Sequence, residues 1–415
     1  MNGIDTDVCV VGGGPAGLAL ALLLLRSGAR VAVVERATSL EREYRGEILQ
    51  PGGLAVLDEL GVLDAVRRRG GCELTGFQLC DGKRVLMDID YTRLPGPHNR
   101  LLSLPQHHLL AGLLAACEEF DTFRHLAGHR LRELVRDGDG AVAGVLAAAV
   151  AGAADGGEPV RVDAGLVVAA DGRHSKARRL AGIDAGRLDV FEQDVLWFKL
   201  HAPGAATGKV RIFRTGGSAA IVHDSHPDRL QIGWCLPHGG YGELAREGLP
   251  AVRARLCAAL PELAEPIGEQ LDSVKRLSLL DVFAGSAERW AADGLLLIGD
   301  AAHTLGPLGA QGINLALQDA VLAHPVVLRA LDSGDAGAEA LSAFERVRRP
   351  DIERVLKMQK MQAKGMFAEP NPVADLIRPA VAGLIGRTPV GARITRRIAF
   401  GNPGIRVRTD LFAAA

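Results

Sequence analysis

With 415 residues, 48% of them hydrophobic, the chain is long enough for two domains with sizeable cores. A formal net charge of −1, from 48 basic and 49 acidic side chains, gives no bulk electrostatic case for nucleic acid or an anionic membrane as partner. The six cysteines, at positions 9, 72, 80, 117, 235 and 257, make no C-x-x-C pair or other metal-like spacing, so buried reduced thiols are expected and a metal site is not.

The chain opens on an apolar run, Val8-Cys9-Val10-Val11, that meets Gly12-Gly13-Gly14-Pro15-Ala16-Gly17 and then a run of Leu and Ala. A second apolar run, Val31-Ala32-Val33-Val34, ends on Glu35, with Arg36 behind it. Strand, glycine turn, helix, strand and acid in this order form the dinucleotide-binding βαβ signature. Gly12 permits the tight turn, Gly14 keeps a Cβ out of the path of a pyrophosphate, and Gly17 lets the helix pack closely on the strand. Pro15 and Ala16 begin the helix, whose first N–H groups face the phosphates. Glu35, eighteen residues after Gly17, can accept hydrogen bonds from ribose hydroxyls and repels a 2′-phosphate, which favours FAD or NAD. The apolar segment 18–25 follows Asp5 and Asp7 rather than a basic region, so it is expected as this helix and not as a signal peptide. No other run is long enough to span a bilayer, and a soluble, cytoplasmic protein without stable membrane insertion is expected.

A charged stretch at 41–47 reads as a solvated loop, and residues 51–60 put Leu54, Leu57 and Leu60 on one helical face. Residues 74–90 alternate as strands about a turn at Asp81-Gly82-Lys83, and Pro95-Gly96-Pro97-His98 is a breaker cluster suited to a crossing between domains. A helix is expected from Pro105 to about Cys117, then paired strands over 131–150 around Asp137-Gly138-Asp139-Gly140, then a surface loop at 151–158. The apolar run 165–170 reads as a buried parallel strand that joins the first sheet and stops at Asp171-Gly172. Short strands at 196–201, 210–213, 219–222 and 230–236 suggest an antiparallel sheet in a second domain, completed by a helix at 250–260 and strands near 275–283. Leu295-Leu296-Leu297-Ile298 is another buried strand, ending at Gly299-Asp300. A long helix is expected from about Gly309-Ala310, further helices at 338–361 and 375–385, and an irregular tail at 400–415.

Strand-ending motifs now stand together: Gly12-x-Gly14-x-x-Gly17, Asp171-Gly172-Arg173-His174-Ser175-x-x-Arg178, and Gly299-Asp300-Ala301-Ala302-His303 followed by Pro307-x-Gly309-Ala310-Gln311-Gly312-x-Asn314. All fall at the carboxyl ends of strands, where ligands collect in an open α/β sheet. In this order they resemble the single-component flavoprotein aromatic hydroxylases, the para-hydroxybenzoate hydroxylase family, over almost the full chain. The resemblance implies that the first motif holds the ADP half of FAD and that the Asp-Gly motif serves both FAD and a transient NAD(P)H. It places Asp300 on a ribityl hydroxyl and Pro307 beside the isoalloxazine. The helix opening near Gly309 would offer N–H groups to the flavin N1–C2=O edge. Arg45 and Gln106 match further FAD contacts of the family. The chain departs from the family at Gly306-Pro307 and Gly309-Ala310, where relatives often carry two prolines and two glycines; the replacements are small and keep the backbone donors.

The fold class implied is α/β: a Rossmann-like FAD-binding domain (1–73, 99–183 and 282–345) with an inserted, mainly antiparallel substrate domain (74–98 and 184–281) and a C-terminal helical segment and tail (346–415). The function implied is an NAD(P)H-dependent FAD monooxygenase that hydroxylates an aromatic, polyketide-like or quinone-type small molecule with molecular oxygen, through a flavin C4a-hydroperoxide kept in a water-poor cavity. On the second sheet Trp197, Arg211, Phe213, Gln231 and Trp234 are candidates to line the substrate pocket, and His223 to accept a proton. The competing readings are a flavin-dependent reductase of an apolar, isoprenoid-like substrate and a non-catalytic flavin-containing binding or redox-sensing protein. A monomer or a homodimer is expected.

Overall fold

The amino-terminal apolar run becomes the strand Gly3–Val11, buried from Val8 onward. It lies between Val31–Glu35 and Val160–Ala169, parallel to both. A computed structural model describes residues 3–41, 46–150, 159–188, 191–214, 218–366 and 388–414. Its eight-stranded sheet runs Ala291–Ala292, Leu295–Leu297, Val160–Ala169, Gly3–Val11, Val31–Glu35, Phe123–Ala127, with the hairpin His129–Arg136 and Val142–Ala149 alongside. The central strands are apolar on both faces because both faces are covered. The helix Pro15–Arg26, buried from Ala16 to Leu25, packs against helices Gln106–Glu118 and Gly312–Ser333. Cys9, Cys117 and Cys235 are buried free thiols, each pushed up to about 12 by loss of solvent.

A second, seven-stranded sheet runs Ser278–Leu280, Gln193–His201, Arg229–Pro237, Ala219–Ser225, Val210–Arg214, Gly76–Asp81, Arg84–Asp90. All its pairings are antiparallel except Val210–Arg214 with Gly76–Asp81. Side chains alternate between its faces, and each face has its own core. Leu196, Phe198, Val222, Ile232 and Trp234 pack with Leu244, Val252 and Leu256 of the helices Gly240–Glu247 and Leu249–Ala259. The opposite face, with Val195, Ala219, Ile221 and Cys235, packs with Leu308, Ala310, Ala399 and Phe400. The loop after Pro307 and the helix Pro389–Phe400 are thus brought to one face of the second sheet.

The long helix begins at Gly312, later than the sequence suggests, because Gly309 (φ 74) and Ala310 (φ 51) are left-handed and cannot belong to an α-helix. The expected boundary between 345 and 346 falls inside one continuous helix, Ala338–Met366. Residues 389–400 are helical where the sequence reading had nothing, with the Thr388 hydroxyl capping Gly391 N–H at 3.2 Å. The helix expected at 375–385 lies outside the described residues.

Candidate flavin site

The glycine turn is fixed by contact. Gly12 has φ +110, and a Cβ there would stand 2.4 Å from the Ala170 carbonyl oxygen, beside the Asp-Gly motif. A Cβ on Gly17 would stand 2.0 Å from Gly12 O, whereas one on Gly14 would meet nothing within 4 Å. Gly12 and Gly17 therefore serve packing, and Gly14 faces open space at the N-terminus of the Pro15–Arg26 helix. Buried Glu35 accepts from Gly13 N–H through Oε2 at 2.7 Å and from Ala37 N–H through Oε1 at 2.8 Å. These bonds fix the carboxylate against the glycine turn. Arg36 is exposed, Gln106 is half-buried as the first residue of its helix, and Arg45 lies outside the described residues.

The Asp-Gly motif is a closed set of hydrogen bonds. Asp171 accepts from Ser175 Oγ at 2.5 Å, Lys176 N at 2.7 Å and Ala177 N at 3.1 Å, and Ser175 caps Arg178 N at 3.0 Å. Arg178 donates through Nη1 to Ala301 O at 2.8 Å, tying this motif to the Gly-Asp motif. Gly172 adopts φ +85 in open space. Gly299, with φ +59, comes so near the glycine-turn helix that a Cβ would lie 3.3 Å from Ala16 Cβ. The three motifs therefore meet at one edge of the sheet. Asp300 points outward, its side chain 39% exposed, with Arg173 Nη2 at 3.7 Å.

The residues after it form a one-sided loop. Buried Gln359 donates to Gly306 O at 2.9 Å and Leu308 O at 2.7 Å, and Pro307 O accepts from Ala310 N at 3.0 Å. Gly309 O accepts from Gln50 Nε2 at 2.7 Å and Gln311 Nε2 at 3.0 Å, and Ala310 O from Asn314 Nδ2 at 2.8 Å. Every carbonyl from Gly306 to Ala310 is thus occupied by a protein donor. The N–H groups of Leu308, Gly309, Gln311, Gly312, Ile313 and Asn314 have no protein acceptor among the described residues. A Cβ on exposed Gly312 would meet nothing within 4 Å. A row of free donors at a helix N-terminus suits an edge that gathers negative charge, which is what the pyrimidine side of a flavin does on reduction. The residues present fit FAD.

Of the candidate substrate residues, Trp197, Gln231 and His223 lie on the sheet face turned toward this loop, in the paired rows Trp197–Gly233 and His223–Gln231. Gly233 leaves room for the Trp197 ring, since a Cβ there would stand 2.6 Å from it. Arg211, Phe213 and Trp234 are a correction. They sit one residue out of phase and face the helices behind the sheet, where Arg211 pairs with Glu262 at 2.7 Å and Phe213 and Trp234 are core. His223 Nδ1 lies 3.1 Å from Asp224 O, an acceptor only, and 3.2 Å from the Ser103 hydroxyl, which can accept as well as donate; the carbonyl places the proton on Nδ1 and the lone pair on Nε2. Burial pushes its imidazole below the usual histidine range, so it is neutral at neutral pH.

Beside His223 is a buried polar group that the sequence reading left in a solvated loop. Glu47 pairs with Lys199 Nζ at 2.6 Å and accepts from Ser225 Oγ at 2.9 Å, and the Gln231 amide, oriented by this network, donates to it at 2.6 Å. A second network braces the Gly-Asp motif. Asp319 accepts from Gly299 N at 2.8 Å, His303 Nε2 at 2.7 Å and Arg348 Nε at 2.7 Å. Burial alone would raise the Asp319 carboxyl, but His303 and Arg348 outweigh it and hold it below the usual carboxylate range. Among the described residues no helix is long and apolar enough to cross a membrane.

This arrangement defines an FAD-dependent flavoprotein monooxygenase. The chain belongs to the FAD binding domain family, whose pattern residues 5–359 match. It is 54% identical over 411 residues, 99% of this chain and 96% of the relative, to 6-methylpretetramide 4-monooxygenase of Streptomyces rimosus. It is 32% identical over 391 residues, 89% of this chain and 91% of the relative, to protoasukamycin 4-monooxygenase of Streptomyces nodosus subsp. asukaensis. Among solved structures, Pseudomonas aeruginosa PqsL in complex with 2-aminobenzoylacetate superposes with a TM-score of 0.74 at 26% identity, covering 92% of this chain and 99% of that one.

Proposed function

We propose that this monooxygenase hydroxylates an aromatic polyketide of the 6-methylpretetramide type, using NAD(P)H and molecular oxygen in the cytoplasm. In this reading FAD runs across the motifs. Its ADP half lies on Gly12, Gly14, Pro15, Ala16 and Gly17 beside Glu35, its ribityl chain at Asp300, and its ring edge at Gln311 to Asn314. When bound, FAD accepts hydride from NAD(P)H and activates oxygen. The chain's own contribution is placement. The free N–H row stabilises charge at the ring edge, and Ile212, Ile221, Leu308 and Trp197 supply an apolar wall that keeps water out. Trp197 offers a flat face to an aromatic substrate. His223 Nε2 and the Glu47–Lys199–Gln231 group offer polar partners for phenolic oxygens. The 74–98 and 184–281 segments carry the substrate side, and the rest of the sheet framework carries FAD.

The observation that carries the substrate class is the 54% identity over nearly the whole chain to an enzyme named for a polyketide of this kind. The test is the purified yellow protein mixed with NADPH or NADH, 6-methylpretetramide and heavy-isotope oxygen. Acceleration of nicotinamide oxidation by the polyketide, with a labelled oxygen atom in the product, is expected. Oxidation that no polyketide accelerates, with no label incorporated, overturns the proposal.

A further inference from the structure

We propose that Gln359 is a positioning residue for the flavin ring, an inference that rests on the flavin site proposed above. Gln359 belongs to the helix Ala338–Met366, far in sequence from every cofactor motif, and is fully buried. The buried face of this helix is otherwise supplied by Leu341, Phe344, Ile352 and Ala363, together with Arg348 and Asp351, whose charges are paired. An amide in such a stripe is costly unless bonded. Its Oε1 accepts from Gly306 N at 3.1 Å, and its Nε2 donates to Gly306 O and Leu308 O at 2.9 and 2.7 Å. Gly306 presents both a donor and an acceptor, so only a side chain that carries both can satisfy it.

The bonds straddle Pro307, which has no N–H and cannot be fixed through its own donor. By holding the flanking carbonyls against the Ala338–Met366 helix, Gln359 turns the negative ends of these peptide dipoles away from the ring. The N–H ends of Leu308 and Gly309 remain to continue the donor row at Gln311 to Asn314. With the carbonyls released, the loop can rotate them toward the ring edge, where they disfavour the negative charge that reduction places there. Gln359 therefore raises the reduction potential of the bound flavin without touching it.

The experiment compares holoenzymes of the wild type, Gln359→Met, Gln359→Glu and, as a control on the exposed side of the same helix, Lys360→Ala. Flavin midpoint potential, FAD affinity and the share of NAD(P)H electrons released as hydrogen peroxide are read. Gln359→Met is expected to shift the reduction equilibrium about tenfold toward oxidised flavin, about 30 mV for a two-electron couple. Peroxide release rises several-fold, and Lys360→Ala changes nothing. Gln359→Glu, its carboxyl raised by burial above the ordinary value of about 4.3, is expected to lie near wild type at about pH 5, where the neutral acid still donates one bond, and well below it at about pH 8, where a carboxylate faces the carbonyls. This pH dependence carries the test within one variant even where Gln359→Met fails to fold. Potentials equal to wild type in every variant that binds FAD, with only the melting temperature lowered, overturn the proposal. Wild-type protein that binds FAD but oxygenates no polyketide would overturn the proposed function instead, and the potentials would still be measurable.

Discussion

The Asp319 carboxylate lies 2.7 Å from His303 Nε2 and, through its other oxygen, 2.7 Å from Arg348 Nε, with all three side chains buried. One acid thus links the helix that opens at the flavin edge, the Gly-Asp motif and the Ala338–Met366 helix. Asp319→Asn leaves the buried Arg348 with Asp351, 3.6 Å from its Nη1, as the remaining counter-ion. The expected loss is about 1–3 kcal/mol in urea unfolding, with weaker FAD retention, because one amide oxygen replaces two carboxylate oxygens and cannot serve both Gly299 N and Arg348 Nε. Adding Arg348→Met should recover part of the loss. A double variant as unstable as the sum of the singles would show that the two residues do not act as a pair.

Gly14 and Gly17 make opposite predictions although they share one motif. Gly17→Ala drives a Cβ to 2.0 Å from Gly12 O, so the apoprotein itself is expected to lose about 1–3 kcal/mol or more. Gly14→Ala meets no protein atom within 4 Å, so the apoprotein should melt as the wild type does while FAD affinity falls. Titration of apoprotein with FAD, alongside thermal melts, separates the cases. Equal FAD affinity in wild type and Gly14→Ala would remove the pyrophosphate from this turn.

These contrasts also mark what the sequence can and cannot carry. The glycine turn is legible because each glycine answers a local steric demand, and the strand ends are legible because long apolar runs stop at Gly12, Asp171 and Gly299. Which sheet face meets the flavin is not local. Trp197 and Trp234 occupy similar strands, and only the docking of helices on one side separates pocket from core. Glu47 sits in a charged stretch and looks solvated until Lys199, 152 residues away, closes on it. Gln359 carries no motif, and its partners are 53 and 51 residues distant.

The Glu47–Lys199 pair joins the segment before the strand Ile48–Leu49 to the seven-stranded sheet, with side chains only 5% and 11% exposed. Lys199→Met leaves the carboxylate with Ser225 and Gln231 alone, and a loss of about 3–5 kcal/mol is expected. Glu47→Gln combined with Lys199→Met removes both charges and should be more stable than Lys199→Met by itself. Denaturant unfolding of the three proteins checks this. If the double variant falls further than the single, the pair is not the source of the cost.

His324 gives a pH dependence that lies away from the flavin. Its ring is 1% exposed on the Gly312–Ser333 helix, with Nε2 2.8 Å from Ser27 Oγ. Burial, then Arg408, lowers its pKa to about 4 from 6.5, against an opposing pull from Asp410. The unfolded chain therefore takes up this proton more readily than the folded one. Stability is full above about pH 6.5 and falls as the pH drops toward about 4, by about 3 kcal/mol in total. His324→Gln removes the titrating group. Its stability should decline less than that of wild type between about pH 7 and about pH 5, narrowing the gap by about 2 kcal/mol. Unfolding curves at the two pH values decide it: a constant difference between the proteins would mean that His324 takes up its proton equally in the folded and unfolded states.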